Sequence, residues 1–318
     1  MKIVVLDGHA LNPGDLSWEC FREFGEITVY DRTPASLIRE RIGDAEIIFL
    51  NKTPITEETL AACPTVKLIC VLATGYNVVD CEAAAKRNIP VCNVPSYGTD
   101  AVAQFTFALL LEVCHRVGLH SDSVHNGDWC RSADFCYWLT PQMELSGKTI
   151  GIIGFGRIGR AVGKIAKAFG MQVLAYNRSR CAEGEEIGRY VDLDTLLKES
   201  DVVSLHCPLT AQTQSIIGSA ALEKMKPGAI LLNTARGPLI DEQSVADALA
   251  CGKLRGFGGD VVCTEPMAQN NPLLGAPNCI LTPHMAWAPM ESRQRIMDCT
   301  VKSVKAFLDG SPVNTVNM

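Results

Sequence analysis

An arginine, a glutamate and a histidine each follow an apolar run in the last third of the chain. Arg236 lies in Asn233-Thr234-Ala235-Arg236-Gly237, Glu265 in Asp260-Val261-Val262-Cys263-Thr264-Glu265-Pro266, and His284 in Leu281-Thr282-Pro283-His284-Met285-Ala286-Trp287. Together they suit hydride transfer to a 2-keto acid. A guanidinium can hold the carboxylate and polarise the carbonyl, an imidazole can protonate the new alkoxide, and a carboxylate can keep that imidazole charged and oriented. Taken singly, each also reads as a surface arginine, a solvated glutamate or a core histidine. The ordered set carries the inference. Of the other histidines, His9, His115, His120 and His125 lie outside the set, and their spacing fits no metal site. His206, in Leu205-His206-Cys207-Pro208, also ends an apolar run and reads as a cofactor-lining residue.

A second constellation lies upstream. Thr149–Ile153 is an apolar run that enters Gly154-Phe155-Gly156-Arg157-Ile158-Gly159, and an amphipathic stretch follows to Phe169. A G-x-G-x-x-G pattern between a strand and a helix is the context a dinucleotide site requires. Gly154 permits the tight turn, Gly156 lets a pyrophosphate approach the backbone, and Gly159 lets helix and strand pack closely. The helix N-terminus offers N–H donors and a positive dipole to phosphate, and Arg157 and Ile158 there are expected cofactor contacts. About twenty residues on, an NAD site usually carries an acid for the ribose diol. Here the run Leu174-Ala175-Tyr176 ends in Asn177-Arg178-Ser179-Arg180. Asn177 repels no phosphate, Arg178 and Arg180 can attract one, and Ser179 can donate to it. Both NAD(H) and NADP(H) fit, with a lean towards NADP.

These groups require a scaffold that places strand ends side by side. Lys2–Leu6, Ile27–Tyr30, Ile47–Leu50, Leu68–Val71 and Pro90–Asn93 read as strands, alternating with helices at Leu16–Phe24, Ser36–Ile42, Glu57–Cys63 and Cys81–Arg87. A long helix, Asp100–His115 with Asp100 as its cap, begins a new stretch. A second series follows, with strands at Thr149–Ile153, Gln172–Tyr176, Val202–Leu205, Ala229–Asn233, Gly256–Asp260 and Cys279–Leu281. Its helices are expected at Arg157–Phe169, Thr195–Glu199, Ser219–Met225 and Glu242–Cys251, and Met290–Leu308 closes the chain. Strand–helix alternation predicts parallel sheets covered on both faces. The expected fold is α/β, with two doubly wound parallel-sheet domains. Between the two series, Asp128–Thr140 carries Trp129, Phe135, Tyr137 and Trp138 without a period. So many aromatics in a long loop suggest a subunit interface, with intrachain core as the other reading.

With 318 residues, of which 47% are apolar and 20% charged, the chain can build packed cores. A net charge of -6 argues against nucleic acid as a partner. The start Met1-Lys2-Ile3-Val4-Val5-Leu6-Asp7 lacks the features of a signal peptide, and no apolar run reaches membrane-spanning length, so a cytoplasmic location is expected. The 14 cysteines are scattered without a C-x-x-C pair, which suggests small core residues in a reducing compartment.

The run Gly147–Gly159, then Leu205–Pro208 with Leu209-Thr210, then Asn233–Gly237, Glu265-Pro266 and Thr282-Pro283-His284, resembles the D-isomer-specific 2-hydroxyacid dehydrogenases over nearly the whole chain. The resemblance implies a Rossmann-type cofactor domain, residues 100–288, inserted in a flavodoxin-like substrate domain, residues 1–99 with 289–318. It implies a homodimer built on the cofactor domains and an active site in the interdomain cleft. Arg236, Glu265 and His284 take the catalytic roles, and Arg236 and His284 also touch substrate and cofactor. By the same likeness Ala73, Thr74 and Gly75, within Leu72–Asn77, present N–H groups to the substrate carboxylate. Cys207, Pro208, Thr213, Thr234 and Ala235 join the cofactor contacts, and Asp260 lies near the nicotinamide carboxamide.

Within the family the similarity runs to glycerate dehydrogenases (hydroxypyruvate reductases), through Leu6-Asp7-Gly8, Thr74-Gly75-Tyr76-Asn77-Val78-Val79-Asp80 and His284-Met285-Ala286-Trp287. The expected reaction is hydride transfer between a nicotinamide and a small D-2-hydroxy acid, D-glycerate/hydroxypyruvate foremost and glyoxylate besides. Two other readings stay open: a dinucleotide-sensing scaffold of the corepressor type, and a dehydrogenase for another 2-keto acid such as pyruvate.

Overall fold

Short runs of Ile, Val and Leu with no polar face can form strands only where both faces are covered. In the computed structural model, which describes residues 1–318, such runs build two sheets in two compact units, Met1–Gly98 with Trp287–Met318 and Thr99–Ala286.

In the first unit β1 (Lys2–Val5), β2 (Glu26–Val29), β3 (Ile47–Leu50), β4 (Leu68–Val71) and β5 (Val91–Cys92) pair in the order β2-β1-β3-β4-β5. Every pairing is parallel. This is the flavodoxin-like order, with its switch point between β1 and β3. Helices α1 (Ile38–Ile42), α2 (Glu57–Ala62) and α3 (Cys81–Lys86) connect the strands. Thr56 caps α2 by accepting from Thr59 N–H, and Asp80 caps α3 by accepting from Ala83 N–H. Phe21 packs on Phe49 with ring centres 4.7 Å apart. The closing helix, Met290–Leu308, buries Ile296, Met297 and Val304 in the same cluster.

The second unit opens with α4 (Thr99–His115) and α5 (Val117–His125). Its strands are β6 (Thr149–Ile153), β7 (Gln172–Tyr176), β8 (Arg189–Tyr190), β9 (Val202–Leu205), β10 (Ala229–Asn233), β11 (Leu254–Gly259) and β12 (Cys279–Leu281). They form one parallel sheet in the order β12-β11-β10-β9-β6-β7-β8, the Rossmann arrangement with its switch point between β6 and β9. Helices α6 (Arg157–Ala168), α7 (Ala182–Ile187), α8 (Leu193–Glu199), α9 (Ser219–Lys224) and α10 (Glu242–Ala250) complete the unit, and α11 is the closing helix already described. No single helix is long and apolar enough to cross a membrane.

Several local expectations need correction. Leu16–Phe24 is not an α-helix: only Glu19–Phe24 winds, as a 3-10 helix. Asn12 Oδ1 accepts from Gly14 and Leu16 N–H, and its amide donates to Leu16 O, so a side chain claims the backbone groups that a helix would need. Ser36–Ile42 starts as a 3-10 turn before α1. Asp100 sits inside the first turn of α4, which begins at Thr99, so it meets the helix dipole rather than capping it. Three elements, α5, α7 and β8, carry too little apolar period to be read. In α7, Gly184 stands where a β-carbon would lie 2.2 Å from Tyr190 Oη, so packing rather than propensity sets its place.

Candidate active site

The glycine turn joins β6 to α6. Gly154 has φ 93°, and a β-carbon there would lie 2.3 Å from Cys207 N. That position tolerates only glycine, because the turn presses on the end of β9. A β-carbon on Gly159 would lie 2.3 Å from Gly154 O, whereas one on Gly156 would meet nothing within 4 Å. Two glycines therefore close the turn and the third leaves its outer face open. At this face α6 begins, with Arg157 and Ile158 in its first turn, and the positive end of the helix dipole points at the open side of Gly156. The turn can thus hold a pyrophosphate.

Asn177 follows β7. Its Oδ1 accepts from Phe155 N–H at 3.2 Å, within the glycine turn, and its Nδ2 donates to Ser179 O at 2.8 Å. The side chain ties the turn to the Arg178–Ser179 loop, a role that motif spacing does not reveal. Arg178 and Ser179 are exposed, and Arg180 lies over the Tyr190 ring at 5.6 Å. Beyond β9, His206 Nε2 pairs with Ser204 Oγ at 2.8 Å. Burial pushes the ring's pKa down to about 3, so the imidazole is neutral. Cys207 is buried and Pro208 exposed. Thr213 Oγ1 donates to Pro208 O at 2.7 Å and accepts from Thr210 N–H at 2.8 Å, which folds this loop on itself.

Arg236 leaves β10 on a braced loop. Asn233, fully buried, donates to Arg236 O at 2.9 Å and accepts from Ala235 N–H at 3.1 Å. Thr234 Oγ1 bonds Thr106 Oγ1 at 3.0 Å. The guanidinium is exposed and reaches back to Ala235 O at 2.7 Å. Glu265 follows β11 and His284 follows β12. They meet: His284 Nδ1 lies 2.6 Å from Glu265 Oε2. The two side chains keep 34% and 37% of their surface accessible. Nδ1 is engaged, and the outer nitrogen, Nε2, is left for a ligand. His284 holds φ 53°, uncommon for a residue other than glycine.

Asp260 is the first residue beyond β11, where the sequence suggests the strand's last. It is 1% exposed, and its oxygens accept from Thr282 Oγ1 at 2.6 Å and from Met285 and Ala286 N–H at 2.8 Å each. Sequence reasoning missed this bracket and the Asn233 brace. A signal was available: an Asn and an Asp each ending a buried strand need partners there.

In the other unit, Ala73, Thr74 and Gly75 follow β4. Asn93 Nδ2 donates to Thr74 O at 2.7 Å, and Thr74 Oγ1 donates to Val94 O at 2.7 Å. The Thr74 and Gly75 amides have no partner within the protein. Outside both groups, His115 Nδ1 pairs with Gln142 at 3.0 Å, and His120 accepts from Leu139 N–H at 2.9 Å.

A Rossmann sheet with an open glycine turn and an Arg, Glu and His at three further strand ends defines a dinucleotide-dependent oxidoreductase. Residues 107–286 match the family model of the D-isomer specific 2-hydroxyacid dehydrogenase NAD binding domain. Over its full length the chain is 55% identical to a hydroxypyruvate reductase of Blautia hydrogenotrophica, 100% of both chains being covered. It is 41% identical to a glycerate dehydrogenase of Methylorubrum extorquens, over 99% of this chain and 98% of that one. A solved acyclic imino acid reductase in complex with NADPH and D-Arg superposes with a TM-score of 0.85 at 32% identity, over 99% of this chain and 100% of that one. The chain belongs to the D-isomer-specific 2-hydroxyacid dehydrogenase family.

Proposed function

We propose that the protein reduces hydroxypyruvate to D-glycerate, and glyoxylate more slowly, using NADH or NADPH. The 2.6 Å contact between His284 and Glu265 carries this reading, and the full-length likeness to a hydroxypyruvate reductase names the substrate. The full-length likeness to a hydroxypyruvate reductase and a glycerate dehydrogenase supports an enzyme over a sensing scaffold.

The nicotinamide, when bound, supplies the hydride. Arg236 holds the substrate carboxylate and polarises the adjacent carbonyl. The amides of Ala73, Thr74 and Gly75 add donors to that carboxylate. His284 Nε2–H gives its proton to the carbonyl oxygen as the carbonyl carbon takes the hydride, leaving the D-2-hydroxy acid and a neutral imidazole. Glu265 balances the charge on the ring before transfer. Gly154, Gly156, Arg157, Ile158 and Gly159 hold the pyrophosphate, supported by the open face at Gly156. His206, Cys207, Pro208, Thr213, Thr234 and Ala235 line the rest of the cofactor.

At the ribose, Arg178 and Ser179 receive a 2′-phosphate, and Asn177 holds their loop rather than repelling the charge. NADPH is therefore accepted at least as well as NADH. The loop Asp128–Thr140 packs on a second copy to make a homodimer: Phe135 is 89% exposed and Trp138 is 68% exposed, a solvent contact that aromatic side chains avoid. The enzyme works in the cytoplasm, where its 14 unpaired thiols stay reduced. A panel of 2-keto acids run with NADH and with NADPH tests the reading. Hydroxypyruvate should give the highest kcat/KM, with NADPH accepted and Arg178→Ala weakening NADPH alone. Faster turnover of pyruvate, or no turnover at all, would overturn it.

A further inference from the structure

Asp260 is the one buried carboxylate of the chain, and no lysine, arginine or histidine pairs with it. Burying a carboxylate without a cation is costly, and the cost is met only by several donors aimed at it. Here those donors come from one turn. Thr282 Oγ1 and Met285 N–H point at Oδ1, and Ala286 N–H points at Oδ2. The backbone of Asp260 extends the grip: its carbonyl accepts from His284 N–H at 2.8 Å, and its own N–H donates to Asn233 O at 2.9 Å.

The bonds to Asp260 fall at residues 282, 284, 285 and 286, so they enclose His284 on both sides. His284 itself adopts a left-handed φ of 53°, a conformation that persists only where its surroundings over-determine it. We infer that Asp260 is a positioning residue for His284, acting through the backbone of the 282–286 turn to aim the imidazole. The inference rests on reading His284 as the proton donor. A carboxylate suits the task because two acceptor oxygens take three donors. In an asparagine of the same shape, the amide nitrogen would face an N–H, and at least one bond would be lost. The ring would then shift, and a displacement of about 1 Å can cost about 10²-fold in rate.

The test uses Asp260→Asn, Thr282→Val, His284→Ala and the double variant Asp260→Asn/His284→Ala in the full chain. It reads kcat for hydroxypyruvate and, by fluorescence titration, NADPH affinity. At saturating NADPH, Asp260→Asn should lower kcat by about 10²-fold. In the His284→Ala background it should lower kcat no further, because a group that acts only through the imidazole has nothing left to act on. Thr282→Val should give a smaller loss of the same kind, and it carries the test if Asp260→Asn does not fold. A loss that persists undiminished in the double variant overturns the inference. So does lost NADPH affinity with kcat retained at saturation, or a Thr282→Val enzyme with unchanged kcat. A His284→Ala enzyme with normal kcat would overturn the proton-donor reading instead, and the two failures are thus distinguishable.

Discussion

A β-carbon placed on Gly237 would stand 2.0 Å from the carbonyl carbon of Val262. The loop that carries Arg236 is therefore pressed against the backbone that leads to Glu265, with no room for a side chain between them. In this chain the placement of Arg236 relative to Glu265 rests on that contact.

Gly237→Ala should force the two loops apart. Overpacking of this kind costs about 1–3 kcal/mol, more where backbone is the obstacle. The expected result is a lower Tm together with a lower kcat/KM for the keto acid. A variant with wild-type Tm and kinetics would mean that the two loops move freely past one another.

Glu265→Gln keeps an acceptor for His284 Nδ1–H and removes the charge that balances the imidazolium. Keto-acid reduction should fall about tenfold or more, and Glu265→Ala, which removes both, should fall further. Steady-state kcat for the three enzymes checks the order. Equal rates for Gln and wild type would assign the carboxylate to loop structure alone.

Arg236→Lys replaces a planar fork by a point charge, which does not reproduce two-pronged carboxylate binding. KM for the keto acid should rise about tenfold or more, given about 1.5–3 kcal/mol for a charge-assisted bond. Cofactor affinity should stay close to wild type, because Asn233 braces the loop through Arg236 O rather than through the guanidinium. Collapse of cofactor binding would make Arg236 a structural residue.

The parallel sheets were legible because β3, β4, β9 and β10 are buried along their whole length, which forces an unbroken apolar run. Arg236 was legible for the same reason, since it follows β10; Glu265 follows β11, which holds Arg255 and three glycines, and His284 follows the half-buried β12, so these two were legible from residue type and order instead. What escaped the sequence reading depends on contacts rather than period. Asp260 lies 22 residues from Thr282 and 26 from Ala286, and nothing local marks that these groups will meet. The bonds of the Asn177 carboxamide to Phe155 N–H and Ser179 O likewise have no signature in spacing or composition. The cysteines divide: Cys70 and Cys92, in apolar runs, are buried, while Cys20, Cys130, Cys136, Cys181, Cys251 and Cys263 are exposed because the polar stretches around them form loops and helix ends.

His206 ties stability to pH. Its ordinary pKa of 6.5 falls to about 3 in the folded state, through burial. Between these values the unfolded chain binds a proton that the native ring refuses. Its contribution to stability is therefore complete above pH 6.5 and is lost progressively as pH drops towards 3. At about 1.4 kcal/mol per pH unit, lowering pH to 5 should cost about 2 kcal/mol, less where the ring's edge meets water. His206→Gln should flatten the fall in denaturant midpoint between pH 7 and pH 5. Identical slopes for the two proteins would show that His206 accepts its proton in the folded state.

The most direct measurement is single-turnover reduction of hydroxypyruvate by His284→Ala, with the enzyme saturated in NADPH. Without the imidazole no group at the β12 end can protonate the alkoxide, so the rate should fall by about 10²–10⁴-fold while NADPH affinity stays near wild type. A folded His284→Ala enzyme that transfers hydride at close to the wild-type rate would contradict the account.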